Sequence, residues 1–551
     1  MTQPASRPKF PAILIIIALL AGFATLGIWS VSSPAGSSPD DDFHMASIWC
    51  GQGDRDGLCE PGPTAETRKL PASFQELVCY SFKPDVAASC QGPNFNEPHS
   101  NTITTDRGNF GTPVYPGGFY AVLSVFASDH ITSSAIAIRL FNSALFIALL
   151  AVAAWALPRN LRFPLIGGTL VTVIPVGAFM IASANPTSWS ITSATVTTIA
   201  MLGYFRTSGR QRWILAAIAA VAILIGVSAR GDSSVYVIIG MLAASVLGFG
   251  YKRAQWKTLI LPVVVSLIAV VLYLSSPQAT VTADGTAFAH NNPGMGLGTL
   301  LYSNLVELPQ LWSGLFGLRW GLGWLDTALP AVSWLPPLVV FGAMVFTGLR
   351  IMNARKSVAM IGLGIAFVMI PLYALVANKV LVGAEVQPRY LFPIFLMLVI
   401  VGLVPLGRRE ITLSWAQRIV IIAALSVSQS LALRSNLQRY VGSHGSLNID
   451  FGAQWTPSGP FSPFQLWILG SVLFAVTLIA LAILMDLPRR RGSELPLRDE
   501  TPRSGAKIDA PAAQASQPAA SLTAAVEEPR IGERSRASHA QDGAEGLPTR
   551  A

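Results

Sequence analysis

Apolar stretches of about twenty residues recur along this chain, beginning with FPAILIIIALLAGFATLGIWSV at 10–31. Roughly twenty helical residues cross about 30 Å of hydrocarbon. Spans are therefore expected near 10–31, 133–157, 164–184, 188–205, 213–229, 233–250, 258–275, 332–350, 358–378, 390–407, 416–433 and 463–486, about twelve in all. A chain that is 52% hydrophobic and 12% charged, with mean hydropathy +0.51, lies outside the soluble range. The expected fold is an all-α integral membrane bundle. The first run lacks a small-x-small cleavage site and exceeds a signal core in length, so it reads as a retained helix.

Basic residues orient such a bundle, because Lys and Arg collect at cytoplasmic span ends. Arg7 and Lys9 precede the first span, and alternate connections carry Arg159 and Arg162, Arg206, Arg210 and Arg212, Lys252, Arg253 and Lys257, Arg350, Arg355 and Lys356, Arg408, Arg409 and Arg418, and Arg489–Arg491. Both termini are expected to be cytoplasmic, in a multi-pass plasma-membrane protein. The net charge of +9 follows from these residues and the tail, so no nucleic-acid partner is expected.

The chain divides into a cytoplasmic N-terminus (1–9), a first helix (10–31), a long extracytoplasmic loop (32–132), a multi-span domain (133–487) and a disordered cytoplasmic tail (488–551). That tail is rich in Ala, Pro, Ser, Glu and Arg, too poor in apolar area to repay its ordering entropy. All four cysteines, Cys50, Cys59, Cys79 and Cys90, fall in the loop, which points to two disulfides in an oxidising compartment. Three pairings are open, and the shortest loops favour Cys50 with Cys59 and Cys79 with Cys90. A metal site is the rival, but no C-x-x-C pair exists. EPGPT, GPNFNEP and GTPVYPGG break the loop into short pieces. LPQLWSGLFGLRWGLGWLDTALP, with Arg319 and Asp326, suits an interfacial or re-entrant element.

No 20–50-residue repeat and no Walker A, Rossmann, H-E-x-x-H or G-x-S-x-G motif is present, which argues against ATP and nicotinamide chemistry. The stretch SSPDDDFHMASIWC, residues 37–50, places acids at the mouth of the first span. It reads as a helix start, with Ser38 as N-cap, Pro39 at the first helical position and Asp41 in a capping-box-like place. That leaves His44 unexplained. On a helix, Asp40 and His44 share a face with Asp41 adjacent, which suits a carboxylate base with a histidine partner, or ligands for a divalent cation such as Mg, Mn or Ca. Arg139 lies inside the second span, where a charge faces the bundle or snorkels outward. Arg230 with Asp232, and Glu385 with Gln387, Arg389 and Tyr390, stand at the same outer edge.

Carboxylates and arginines at the outer surface, with no nucleotide motif, fit glycosyl transfer from a polyprenyl-phosphate sugar. A carboxylate would take the acceptor hydroxyl proton, and Arg or a cation would stabilise the departing phosphate. In this light PDDDFH, SANPTSW (183–189), GLGWLDTALP (321–330) and QPRYLFP (387–393) resemble, in order, motifs of the bacterial membrane family of domain of unknown function 2142. That family in turn resembles the GT-C glycosyltransferases.

The resemblance implies a GT-C-like bundle with an extracytoplasmic site and a lipid-phosphate-sugar donor. Asp40 and Asp41 would be the acidic pair, His44 their neighbour, and Arg389 a donor-phosphate ligand, with Arg230 and Arg139 as further phosphate candidates. Asp232, Trp324, Asp326, Gln387 and Tyr390 complete the site candidates. Asp41 stands where the family usually has Glu, and Asp42 where it often has Pro. Asp41 is the expected base, with Asp40 second. The expected function is an inverting membrane glycosyltransferase acting on an envelope glycan or glycolipid. The alternatives are a transporter or flippase of lipid-linked saccharides, expected to carry charges near mid-membrane, and a non-catalytic envelope scaffold.

Overall fold

The structure is a computed structural model describing residues 10–97, 101–250, 253–279, 292–407, 411–443 and 447–493. Arg7, Lys9, Lys252, Arg408, Arg409, the side chains of Arg253 and Arg489–Arg491, and the expected tail from 494 onward lie outside the described residues.

The first apolar run folds as α1 (Phe10–Val31). Thr25 and Ser30 donate to the carbonyls one turn back, Ala21 at 2.8 Å and Leu26 at 2.9 Å, so its hydroxyls are satisfied within the helix. Ile13, Ile16 and Leu20 point outward, as a lipid-facing stripe does. The chain then turns through 32–40 into the short α2 (Asp41–Trp49).

Three short strands follow, β1 (Glu60–Pro61), β2 (Arg68–Pro71) and β3 (Thr102–Thr105). They pair antiparallel, Glu60 opposite Lys69 and Leu70 opposite Ile103. This small sheet lies in the loop of a chain that is otherwise mostly helical, as expected; the β-branched Thr-Ile-Thr-Thr of β3 favours it. The two disulfides join Cys50 to Cys59 and Cys79 to Cys90, the shortest-loop pairing. α3 (Gly118–Leu123) leads back to the bundle.

The bundle continues with α4 (Ile131–Ala156), α5 (Arg159–Val173), α6 (Val176–Ile181), α7 (Thr187–Arg206), α8 (Gly209–Ala229), α9 (Ser233–Gly248) and α10 (Ile260–Leu274). It is completed by α11 (Leu297–Gly314), α12 (Ala331–Leu349), α13 (Ala354–Ala377), α14 (Phe392–Gly402), α15 (Trp415–Val441) and α16 (Pro463–Ser493). Among the described residues, eight helices are long and apolar enough to cross a membrane, in α1, α4, α8, Trp256–Leu274, α12, α13, α15 and α16. Ser233–Gly248 and Pro388–Gly402 are apolar but shorter.

The remaining expected spans differ for visible reasons. The 164–184 run is divided between α5 and α6 at Ile174–Pro175, because proline has no N–H to continue a helix. The 390–407 run forms only α14, entered through a 3-10 turn at Pro388–Leu391. α7 reads TSWSITSATVTTIAMLGYFR and is buried over nearly its whole length. It packs against α8, α9 and α14, so protein rather than lipid surrounds it. The contact is close: a Cβ on Gly226 of α8 would stand 2.4 Å from Ser193 Oγ. Residues 308–314 of the expected re-entrant stretch fall in the helix α11, and α16 runs to Ser493, beyond the expected start of the tail at 488.

Candidate active site

The site is built on the turn from Ser32 to Asp40, whose residues are almost all buried. Buried backbone carbonyls need donors, and each one here has a named partner. Asn436 Nδ2 serves Ser32 (3.0 Å), and Arg139 serves Ser33 and Pro34 (2.7 Å each). Tyr80 and Gln91 serve Ala35 (2.6 and 2.9 Å), Trp324 Nε1 serves Gly36 (2.8 Å), and Tyr440 serves Ser37 (3.2 Å). The Asp41 N–H serves Ser38 at 3.1 Å. Pro39 receives Asn185 Nδ2 at 2.8 Å and Arg389 Nη1 at 3.1 Å.

Donors from α4, the Asn185 turn, the 324 turn, the 388–391 turn and α15 thus converge on one strand of backbone. Arg139 adds Ser30 O at 3.2 Å and Ser37 Oγ at 3.0 Å and is 1% exposed. It neither snorkels nor opens toward a ligand; the guanidinium is committed to the turn.

The turn delivers α2 later than expected. Ser38 is not the N-cap and Pro39 is not helical: the helix begins at Asp41, with Asp40 as N-cap at φ 63°. Asp is among the few residues tolerated in this left-handed region. The Asp41 carboxylate reaches back to the Ser38 N–H at 3.0 Å and also accepts the Ser38 hydroxyl. The contact has the three-residue spacing of a capping box but closes the turn ahead of the helix, since Asp40 is the N-cap. The Arg139 guanidinium stands 4.0 Å away.

Neighbouring acids consequently have different fates. Asp41 is fully buried, and burial pushes its carboxyl up to about 6 although Arg139 and the Ser38 contacts pull the other way. The Asp40 side chain remains 35% exposed. Its Oδ2 accepts from Arg389 Nη2, and Arg107 Nη2 stands 3.9 Å from its Oδ1. Burial would raise it, but Arg389 and the other nearby positive charges hold the Asp40 carboxyl below its ordinary value. Asp42 turns to Arg107 Nε at 2.7 Å.

His44 is buried on α2, with Nδ1 3.0 Å from the Tyr120 hydroxyl. Burial, reinforced by Arg389, Arg230 and Arg107, pushes its imidazole down to about 3 despite the pull of Asp40. It is therefore neutral near pH 7 and supports Tyr120.

Two buried arginines stand behind Asp40. Arg230 donates from Nε and Nη2 to the two carboxylate oxygens of Asp232, at 2.9 and 2.7 Å, and the pair is buried on its basic side. The Arg230 guanidinium lies 5.0 Å from the Tyr390 ring centre and 5.7 Å from that of Tyr115. Tyr390 is also 5.3 Å from the Arg389 guanidinium. Tyr236 of α9 donates to the Tyr390 carbonyl at 2.6 Å and fixes this corner. Gln387 Oε1 and Arg389 Nε are buried with no hydrogen-bond partner among the described residues. Asp40, Arg389, Arg230 and Tyr390 therefore form one group, with Gln387 at the start of the same 3-10 turn as Arg389.

Among the described residues no cluster of three or more His, Cys, Asp or Glu converges as metal ligands, and Asp40, Asp41 and Asp42 each turn to a different arginine.

Residues 23–399 match the family described as "Predicted membrane protein (DUF2142)". The chain belongs to that family. No curated protein and no solved structure matches it. The matched stretch of this DUF2142 protein holds every acid and arginine of the group around Asp40, whereas Asn436, Arg439 and Tyr440 lie beyond it.

Two sequence candidates fall elsewhere in this DUF2142 member. Asp326 pairs with Arg439 at 2.9 Å, and Arg439 also donates to the carbonyls of Val86, Tyr80 and Lys83 at 2.6, 2.8 and 2.9 Å. Trp324 packs edge-on to Phe82. They tie the Cys79–Cys90 region to α15 and lie on the support side of the turn. Arg107, Tyr115 and Tyr120 were not legible as site residues: each sits among turn signals or apolar neighbours, in TTDRGNF and GTPVYPGGFY.

Proposed function

We propose that this DUF2142 protein is an inverting glycosyltransferase of the GT-C kind. It takes sugar from a polyprenyl-phosphate donor and passes it to an envelope glycan or glycolipid at the extracytoplasmic face of a bacterial plasma membrane. The observation that carries the reading is the half-open Asp40 carboxylate set against the buried guanidinium of Arg389, with Arg230 sharing the Tyr390 ring. Asp40, rather than Asp41, takes the role of base, because Asp41 has no exposed surface.

In this mechanism the acceptor hydroxyl oxygen attacks the anomeric carbon while Asp40 receives its proton. The bond from that carbon to the phosphate oxygen breaks, and its electron pair leaves with polyprenyl phosphate. Arg389 and Arg230 offset the charge gathering on that phosphate, as preorganised cations do where water is excluded. The donor's isoprenoid tail stays in the lipid and needs no aqueous path.

The test is envelope glycan analysis in a deletion strain complemented with wild type or Asp40→Asn at matched protein levels. Wild type should restore a defined sugar that Asp40→Asn does not. Full restoration by Asp40→Asn would overturn the reading and leave a flippase or a scaffold.

A further inference from the structure

Asp40 presents its two oxygens to different cations. Oδ2 accepts from Arg389 Nη2, whereas Oδ1 has no hydrogen bond among the described residues and faces Arg107 Nη2 across 3.9 Å. That gap is too long for a direct hydrogen bond. It lies on the open part of the site, since the Asp40 side chain is 35% exposed and that of Arg107 54%.

Arg107 is held in this place by the chain around it. Its backbone N–H donates to Thr105 Oγ1 at 3.0 Å, and two residues on the Asn109 N–H donates to Ser47 Oγ of α2 at 2.8 Å. The side-chain Nε donates to Asp42 at 2.7 Å, which anchors the guanidinium and leaves the Nη2 end toward Asp40. A hydroxyl that accepts from an N–H at about 2.9 Å and donates to a carboxylate at about 2.7 Å spans such a gap when the two bonds meet at roughly 90°. One hydroxyl oxygen therefore fits between Arg107 Nη2 and Asp40 Oδ1, with its proton aimed at the carboxylate.

The surrounding charges select the kind of hydroxyl. Asp42 already neutralises Arg107, and an anionic group placed here would meet the carboxylates of Asp40 and Asp42, so a neutral acceptor fits. The half-buried Phe43 ring, 5.8 Å from the Arg107 guanidinium, gives apolar surface beside it for the C–H face of a sugar. Building on the transferase reading, we infer that Arg107 binds the acceptor, an uncharged saccharide whose attacking hydroxyl bridges Arg107 Nη2 and Asp40 Oδ1, and that Asp42 positions Arg107. During transfer the hydroxyl proton passes to Asp40 Oδ1 as its oxygen bonds the anomeric carbon. The bond from that carbon to the phosphate oxygen breaks, and its electron pair leaves with the phosphate toward Arg389.

The test uses the full chain in nanodiscs, with undecaprenyl-phosphate-linked glucose, galactose, mannose and arabinose as donors and neutral methyl disaccharides of the same sugars as acceptors. Arg107→Gln should raise the acceptor KM by about tenfold or more, the usual cost of losing a hydrogen bond from a charged donor, and leave the donor KM unchanged. Arg107→Lys, which keeps a charge and a donor, should recover part of the loss. Asp40 faces Arg389, His44 and Arg107, so removing the Arg107 charge also raises the Asp40 carboxyl and moves the acid limb of transfer to higher pH. That shift with an unchanged acceptor KM in both variants would overturn the inference and leave Arg107 as a charge that only tunes the base. Saturation-transfer NMR with the same disaccharides separates this inference from the transferase reading. Binding to wild type that weakens in Arg107→Gln, without transfer from any donor, keeps the acceptor contact and removes the transferase reading. No disaccharide binding to wild type, or binding undiminished in Arg107→Gln, overturns the inference, while transfer that Asp40→Asn abolishes keeps the transferase reading in that case.

Discussion

Arg389 grips Asp40 and the residue before it together: Nη2 donates to the Asp40 carboxylate while Nη1 donates to the Pro39 carbonyl at 3.1 Å. In the proposed mechanism the cation that would meet the donor phosphate therefore also holds the carboxylate proposed as the base. Asp40→Asn should keep the fold, since Arg389 retains the Pro39 carbonyl, yet lower transfer per folded molecule by about 10²–10⁴-fold, the usual contribution of general-base catalysis. Arg389→Lys should lower it too, because an ammonium cannot reproduce the two-pronged contact. Transfer rates at matched folded protein check both; near-wild-type rates in Asp40→Asn would remove Asp40 from the mechanism.

Asp41→Asn should behave differently. The Asn carboxamide oxygen still accepts from Ser38, whose N–H lies 3.0 Å from the Asp41 carboxylate, and the fully buried side chain touches no solvent. Transfer should stay within about tenfold of wild type, well short of the general-base loss. If Asp41→Asn fails as completely as Asp40→Asn while its thermal unfolding is unchanged, the base is Asp41.

The different exposure of these two adjacent acids shows what a sequence pattern does and does not carry. Hydropathy locates the helices because burial in lipid demands long apolar runs, and it is least informative where protein replaces lipid, as around the hydroxyl-rich α7. The pairing of the cysteines followed from short spacing, and the acid stretch stood out because charge at a span end is costly. Which acid faces outward did not follow. That depends on Asp40 adopting φ 63° and on distant donors such as Asn185 and Arg389 at Pro39, and neither leaves a local pattern. Arg139 looked like a ligand candidate because its contacts are backbone carbonyls, which any sequence supplies.

Arg139→Ala should destabilise the chain by on the order of 3 kcal/mol or more, because buried acceptors lose their donors. Those acceptors are the Ser30, Ser33 and Pro34 carbonyls and the Ser37 hydroxyl. Arg139→Lys, with one ammonium for several acceptors, should recover only part of the loss. Thermal unfolding of the full chain in nanodiscs measures the difference; an unchanged midpoint in Arg139→Ala would show that the turn does not need this clamp.

Acid should test His44 and Asp41 against each other. His44 falls from an ordinary 6.5 to about 3, so the unfolded chain binds its proton first. Its contribution to stability is complete above about pH 6.5 and is lost as the pH falls toward 3. Asp41 rises from 3.8 to about 6, so the folded chain binds that proton first; its contribution is greatest below about pH 4 and is lost as the pH rises through 6. The charges around His44 are Asp40, Arg389, Arg230 and Arg107. Relative to wild type, His44→Gln should lose less stability between pH 6.5 and 4. Parallel midpoint curves for the two proteins would remove His44 as the source.

Trp324 and Asp326 offer the last contrast. If they support the turn rather than touch substrate, Asp326→Asn should change transfer by less than about threefold, because Arg439 keeps its three carbonyl acceptors and loses only part of one contact. Trp324→Phe removes the donor to the Gly36 carbonyl and should lower the thermal midpoint. Its reduced transfer should appear as a loss of folded protein, with donor KM unchanged in the remainder. A raised donor KM at full thermal stability in either variant would place that side chain against the donor and extend the site across the turn.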